Sequence, residues 1–282
     1  MKTLTFSTIK KKGIKFPKDS SFPLLTLRQR GPVGIVSLIR MSDNIDMFYT
    51  LIKHHFSERV IKRIATRTKG QSQNTFWYLY RRAVITGTIA RRVIIQNLRD
   101  EPNLKLNQII SKFYKSTYTN EAMQYGISNE VRGLKMFLKK YKKDHNDVKI
   151  NNTGVVLHRK LPYIGGSPDG LVSCSCHVNQ PVLVEIKSPY RLKSVGLHPD
   201  GWRILEYLDN EKRLKKSHPY FNQINLYQGI TQIRIGYFVV YARDEIIIDK
   251  IEFDEDFFNY QITNIKKYYE KHYLPYVIGK NI

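Results

Sequence analysis

One short segment constrains this chain more than any other. Val182-Leu183-Val184-Glu185-Ile186-Lys187 reads as a buried β-strand, yet it holds a carboxylate and an ammonium two residues apart. Side chains alternate across a strand, so Glu185 and Lys187 share one face. Burying either charge alone costs several kcal/mol or forces neutralisation. A fold that accepts this strand must bring compensating groups to it. Upstream, Ser167-Pro168-Asp169-Gly170 has Pro at i+1 and Gly at i+3, the favoured residues of a type I turn. Taken alone it is a structural turn, and Glu-x-Lys taken alone fits an edge-strand ion pair. The combination says more. Asp169 ends a short neighbouring strand, so Asp169 and Glu185 can meet at one point beside a backbone carbonyl, that of Ile186, with Lys187 alongside. Hard oxygen ligands of this kind suit Mg2+, with Mn2+ as a substitute. The cation compensates the buried negative charge, and Lys187 then holds, or helps to deprotonate, a water aimed at a phosphorus atom.

The charge balance points the same way. Lys and Arg number 47 against 24 Asp and Glu in 282 residues, a formal net charge of +23. Such an excess favours a polyanionic partner, nucleic acid first; a solvated basic surface is the plainer alternative. No apolar run reaches the roughly 18–20 residues that cross a bilayer, and the N-terminus lacks a signal-peptide pattern. The expectation is an intracellular protein with no membrane partner. Cys174, Cys176 and His177 form a Cys-x-Cys-His run. It looks like half a zinc site with no second Cys pair to complete it; a polar hairpin tip is the plainer reading.

Periodicity organises the rest. Residues 1–40 are basic and contain proline without a sustained helical period, and read as an N-terminal extension; its KKKGIKFPK run is the kind of Lys cluster found in nuclear-import patches. One domain is expected over 41–278. Ser42 or Asp43 caps a helix expected to reach about Arg67. TKGQSQN at 68–74 interrupts it, a second helix carries Trp77 and Arg81, and another helix or two fill 105–125. Trp77 reads as a core residue more readily than as a base-stacking one. A helix is expected over about 128–143, with an apolar stripe of Ile127, Val131, Leu134, Leu138 and Tyr141. Glu130 lies beside that stripe between Gly126 and Gly133. Glycines inside a helix cost up to about 1 kcal/mol each, which makes sense if something must approach that face closely. From 148 the period falls to 2. Strands are expected at VVLH, around SPDG, at 182–187, 235–242 and 245–253, and helices at 218–231 and 254–274. The order predicts an α+β fold: a mixed central sheet flanked by helices, with a helical N-terminal part.

Pro168-Asp169 and Glu185-Ile186-Lys187 also match the PD-(D/E)xK nuclease pattern. Around them stand TKGQSQNTFWYLYRRAVITGT, YGISNEVRGL, GGSPDGLV, VLVEIKSPY, YFNQINLYQ and YYEKHYLPYVI. In that order, over about residues 60–278, they resemble the lambda-exonuclease/YqaJ viral recombinase family. The resemblance implies a restriction-endonuclease-like core and a Mg2+-dependent deoxyribonuclease. Its expected action is 5′→3′ digestion from double-stranded DNA ends, in recombination, replication or repair. It assigns Asp169, Glu185 and Lys187 to the metal-binding and catalytic core, Glu130 to a helix carboxylate that helps bind metal, and Gln223 to a supporting glutamine. It assigns Arg81, Ser167 and Thr88 to the pocket for a terminal 5′-phosphate; only the spacing from Trp77 selects Arg81 over Arg82. Four positions depart from the family's pattern: Thr88 for Ser, Gly87 for Ala, Asn225 for a second Gln, and Ser188 for Cys. None removes a metal ligand. The resemblance permits a ring-shaped homotrimer around DNA and an accompanying single-strand annealing protein, with a nuclear location if the source is eukaryotic or viral. Two other readings stay open: an endonuclease with the same core and no end pocket, and a DNA-binding recombination accessory protein that has lost catalysis.

Overall fold

The computed structural model describes residues 32–99, 120–177 and 180–279. Helix α1 (Ile35–Arg40) lies within the stretch read as an extension, yet it buries Ile35, Leu38 and Ile39 in the core. Two helices, α2 (Ile45–His55) and α3 (Glu58–Arg67), replace the single one expected up to Arg67. Asn44, rather than Ser42 or Asp43, caps α2 by accepting the Met47 N–H at 2.8 Å. Phe56 leaves the helical conformation, and Ser57 caps α3. The apolar spacing runs on across this break, so periodicity alone cannot reveal it. Helix α4 (Thr75–Arg81), strand β1 (Ile85–Thr86) and helix α5 (Gly87–Arg99) follow. Of the helices expected over 105–125, residues 105–119 lie outside the described residues.

Helix α6 (Glu121–Tyr141) starts earlier than expected, at an Asn120 cap. Its buried face runs through Asn129, Gly133, Phe137 and Tyr141, while Ile127 and Val131 of the expected stripe are exposed. Gly133 explains the rotation. A Cβ there would stand 2.8 Å from Ile186 Cγ2 and 3.0 Å from Tyr241 Cβ, so the helix backbone itself rests on the sheet. The missing side chain, rather than the largest apolar ones, sets the contact face.

Among the described residues, eight strands form two sheets. Beside β1, β2 (Lys149–Asn151), β3 (Val156–Leu157), β4 (Ile164–Gly166), β5 (Gly170–Ser173), β6 (Val182–Lys187), β7 (Ile235–Ala242) and β8 (Glu245–Glu252) follow in the chain. The small sheet has the order β1-β4-β3 and the large one β2-β5-β6-β7-β8. In the large sheet only β6 and β7 are parallel. A parallel pair needs a crossover, and α7 (Pro219–Thr231) supplies it. Leu183, Phe238 and Val240 pack with Phe221 and Ile224 of α7 on one face. Val184, Ile186, Val239 and Tyr241 pack with Phe137 and Tyr141 of α6 on the other. Strand alternation therefore turns Glu185 and Lys187 toward α7. A third core joins α1 to α5, the small sheet, α8 (Glu255–Tyr268) and α9 (Leu274–Gly279), with a π-helical turn at Tyr269–Tyr273. This is the mixed α+β architecture with a helical N-terminal part that the sequence predicts.

Buried amides pin α7 in place. Gln228 Nε2 donates to the Arg234 and Ile251 carbonyls at 2.9 and 3.0 Å. Asn225 Nδ2 donates to the Asp254 carbonyl at 3.1 Å, and Gln261 Nε2 to the Asn222 carbonyl at 2.9 Å. Asn225, one of the positions that depart from the resemblance, thus anchors α7 to the start of α8.

The glycine contact generates a paired prediction. Gly133→Ala forces overpacking against Ile186 and lowers stability by about 1–3 kcal/mol. Gly126→Ala meets only the Ser188 carbonyl, at 3.9 Å, and raises stability by roughly 0.5–1 kcal/mol. Urea unfolding followed by circular dichroism measures both; equal effects would mean that the Ile186 contact does not seat α6.

Candidate active site

The site begins where the chain passes from the small sheet to the large one. Between β4 and β5 the backbone bends at Asp169 instead of closing the expected type I turn. Two contacts hold the bend open. Gln71 Nε2 donates to the Pro168 carbonyl at 2.9 Å, and Asp169 Oδ2 accepts the Ile186 N–H at 2.6 Å. Gln71 belongs to TKGQSQN, which gives that segment a physical role. Thr68 Oγ1 accepts the Val155 N–H at 2.7 Å, Asn74 caps α4, and Gln71 is left to latch the segment carrying Asp169.

Pairing between β5 and β6 stops at Gly170 and Val184. Beyond it, the Ile186 N–H faces the Asp169 side chain. A strand residue points its N–H and C=O toward the same edge, so the Ile186 carbonyl faces Asp169 as well. Glu185 is 2% exposed. Its Oε1 accepts two donors, Lys187 Nζ at 2.6 Å and Gln223 Nε2 at 2.5 Å. Its Oε2 is buried without a hydrogen-bond partner. Lys187 Nζ also lies 4.8 Å from the centre of the Tyr220 ring.

The electrostatics follow from this crowding. Burial raises the Asp169 carboxyl well above its ordinary pKa, helped by the Glu185 and Glu130 charges and opposed by Lys187 and the Ile186 N–H. Burial also raises Glu185, against the pull of Lys187 and Arg81. Glu130, on α6, is pushed up to about 7 by burial and by the Glu185 charge, with Lys187 opposing. For Lys187 burial disfavours the charge, but Glu185 and Asp169 outweigh it and the pKa rises. Three carboxyl groups therefore share one field with one ammonium.

A second group adjoins them. The Arg81 guanidinium stacks 3.8 Å from the centre of the Trp77 ring, and Trp77 Nε1 donates to Ser167 Oγ at 2.8 Å. Burial pulls Arg81 below its ordinary pKa, while Tyr227, Tyr78 and Glu185 work to raise it. Trp77 is neither plain core nor a free stacking platform; it connects Arg81 to Ser167. Thr88 is exposed on the first turn of α5, outside this chain of contacts. The structure thus brings Asp169, Glu185, Ile186, Lys187, Gln223 and Glu130 together, with Arg81 and Ser167 beside them.

The sequence reading gives Tyr220 and Tyr227 no role at the site and takes Trp77 for a core residue. Tyr227 Oη receives a 3.3 Å hydrogen bond from Gln223 Nε2. Tyr220, Gln223 and Tyr227 stand at i−3, i and i+4, one helical face, and that spacing was the available signal. The donor set fits a divalent cation. Asp169, Glu130 and the Ile186 carbonyl offer hard oxygens, and the buried Glu185 Oε2 is an acceptor lacking any donor.

The model of the YqaJ-like viral recombinase domain matches residues 76–233, which contain every candidate site residue named above. Among solved structures, the chain is similar to an alkaline exonuclease from Laribacter hongkongensis. The two share 20% identity over 72% of this chain and 94% of that one, with a TM-score of 0.51. The same enzyme in complex with dAMP matches at 21% identity, 72% and 94% coverage and a TM-score of 0.51. These likenesses show a shared fold. A phage-related exonuclease from Haemophilus somnus 129PT matches at 14% identity, over 70% of this chain and 96% of that one, with a TM-score of 0.47. No curated protein matches. Among the described residues no helix is long and apolar enough to cross a membrane.

The raised carboxyls fix the sign of a pH effect. A carboxyl whose pKa is raised on folding adds stability below its unfolded value and loses it as the pH climbs through the folded value. For Glu130 that window runs from 4.5 to about 7. In EDTA, the melting temperature of wild type should fall relative to Glu130→Gln across this window. Mg2+ should raise it more at pH 8 than at pH 5, because protons compete with the cation for the same oxygens. Thermal denaturation of both proteins with EDTA and with Mg2+ checks this; parallel pH profiles would mean that Glu130 is not held in the carboxylate cluster.

Proposed function

This chain belongs to the YqaJ-like viral recombinase family, and we propose that it is a divalent-metal-dependent deoxyribonuclease that digests double-stranded DNA from 5′-phosphorylated ends in the 5′→3′ direction. The observation that carries this reading is the Glu185 carboxylate. Lys187 and Gln223 both occupy Oε1, which leaves the buried Oε2 with no donor of its own. Asp169, Glu185, Glu130 and the Ile186 carbonyl would hold Mg2+. When bound, Mg2+ supplies Lewis-acid stabilisation of phosphoryl oxygens.

The chain's own groups do the rest. Lys187, paired with Glu185 at 2.6 Å, would hold or help to deprotonate a water and offset the charge that develops at phosphorus. Gln223 holds Glu185 in its rotamer. Arg81 offers a bidentate, charge-assisted grip on a phosphate, and its stacking on Trp77 fixes the plane of that grip. Ser167 adds a hydroxyl two residues from Asp169. Thr88 lies on the first turn of α5, outside these contacts, and its place in the pocket rests on the resemblance alone. The net charge of +23 favours the DNA backbone.

The deciding experiment incubates linear and closed-circular duplex DNA with Mg2+ or EDTA. The expected result is loss of linear DNA with Mg2+ alone, circles surviving. Cut circles would instead mean an endonuclease, and binding without cleavage an accessory protein. Asp169→Ala and Glu185→Ala should each abolish digestion and keep DNA binding; near-wild-type digestion by either would sink the assignment.

Arg81 generates its own test. A hydrogen bond to a charged group contributes roughly 1.5–3 kcal/mol. Arg81→Ala should therefore lose at least about tenfold of the preference for 5′-phosphorylated over 5′-hydroxyl ends, while slow metal-dependent cleavage remains. Initial digestion rates on matched duplexes measure this. A full preference in the variant would move the phosphate to another residue.

A further inference from the structure

The hairpin that carries Asp169 and Glu185 ends, at its far tip, in a second cluster. His145, Cys174, Cys176 and His177 bring one ligand atom each to within 4.8 Å of one another. Cys174 and Cys176 are free thiols with sulfurs 3.0 Å apart, well beyond a disulfide bond of about 2.05 Å. His145 Nδ1 lies 3.2 Å from Cys176 Sγ and 3.7 Å from Cys174 Sγ, and His177 Nδ1 lies 3.4 Å from Cys174 Sγ. Four ligands placed tetrahedrally around zinc, with Zn–S near 2.3 Å and Zn–N near 2.0–2.1 Å, stand about 3.3–3.8 Å from each other. The 3.4 and 3.7 Å contacts fall in that range, and the 3.0 and 3.2 Å ones lie just below it.

We propose that these four residues form a structural zinc site. Two thiolates and two neutral imidazoles balance the +2 charge, and soft sulfur with imidazole selects zinc over the hard cation suited to the carboxylates. The surroundings fit a supported site. Tyr141 stacks on the His145 ring with centroids 3.8 Å apart and planes 18° from parallel. The Ser175 N–H donates to the Asn146 carbonyl at 3.0 Å, which ties the two ligand-bearing turns together. The position gives the clip a purpose, and this part rests on the nuclease reading. From Glu130 to Tyr141 the helix runs about 17 Å at 1.5 Å per residue. From Asp169 to Cys174 the strand also runs about 17 Å at 3.3 Å per residue. His145 follows that helix by a short turn and Cys174 directly follows that strand, so fastening the two together restrains Glu130 relative to Asp169.

Metal content is the test, measured on full-length protein purified without a polyhistidine tag and under reducing conditions. Wild type should carry about one zinc per chain by plasma mass spectrometry. Cobalt substitution should give thiolate charge-transfer bands and the intense visible bands of tetrahedral Co2+. Cys176→Ser, at an exposed position, and His145→Ala should bind zinc at least tenfold more weakly in a competition titration. Asp169→Ala should keep the full zinc content, which separates this site from the carboxylates. Where a variant fails to fold, cobalt titrated into chelator-treated wild type, its visible bands appearing and then disappearing as zinc is added, decides instead. Wild type that binds no zinc after that treatment, or a chain 2 Da light from a Cys174–Cys176 disulfide, would overturn the proposal. Either outcome leaves the digestion assay, and so the nuclease reading, to stand or fall separately.

Discussion

The two oxygens of Glu185 are used unequally, and much of the structure serves that inequality. One oxygen takes a cation and an amide; the other is buried with no donor. To hold the amide of Gln223 in place, α7 must not slide or turn. That requirement accounts for Asn225, Gln228 and Gln261, which bond across to neighbouring backbone instead of facing water. Each such bond adds only about 1 kcal/mol net, whereas a buried amide left unpaired costs as much or more. Their chief effect is thus to disfavour every other position of the helix. Room is made in the same way. Gly166 faces the Tyr227 ring so closely that no side chain fits between them, and Tyr227 in turn receives the Gln223 amide.

Holding three carboxyls near one another opposes folding, as their raised pKa values record. The surrounding packing must offset that. Both faces of the five-stranded sheet are covered, by α6 on one side and α7 on the other. The third core, built from α1 to α5 and the C-terminal helices, holds Tyr163 stacked on Tyr269 at 4.1 Å between centroids. It anchors β4, and β4 leads directly into Ser167 and Asp169. The acidic cluster therefore sits at the junction of two well-packed bodies, where neither can relax toward water without losing apolar contacts.

How much of this was legible depended on whether the signal was local. Strand β6 and helix α7 were readable because their patterns are short and bounded by turn residues, and their ends agree closely with expectation. Glu185 and Lys187 on one face follow from strand alternation alone. The α2–α3 break was not readable, because the apolar period continues through Phe56. The buried face of α6 was misjudged because side-chain size was weighed and a missing side chain decides. The Cys174-x-Cys176-His177 run showed three of the four members of a cluster. Its other member, His145, is 29 residues before Cys174 and reaches it only once β2 pairs with β5. Long-range partners of this kind have no periodic trace.

The same logic explains how the two halves of the candidate site are coupled. Ser167 and Asp169 are separated by one proline, whose φ is fixed near −65°. Gln71 grips that proline's carbonyl. The hydroxyl that receives the Trp77 N–H and the carboxyl that receives the Ile186 N–H thus lie on one short, stiff stretch of backbone. Arg81 reaches this stretch through the Trp77 ring. A phosphate bound by Arg81 and Ser167 would have its distance from Asp169 set by covalent geometry and two hydrogen bonds, not by loop motion. Positioning of that kind is what converts binding at an end into a defined place of cleavage. It makes Trp77 and Gln71, which touch neither the carboxylates nor a phosphate, the residues on which the register between the two subsites depends.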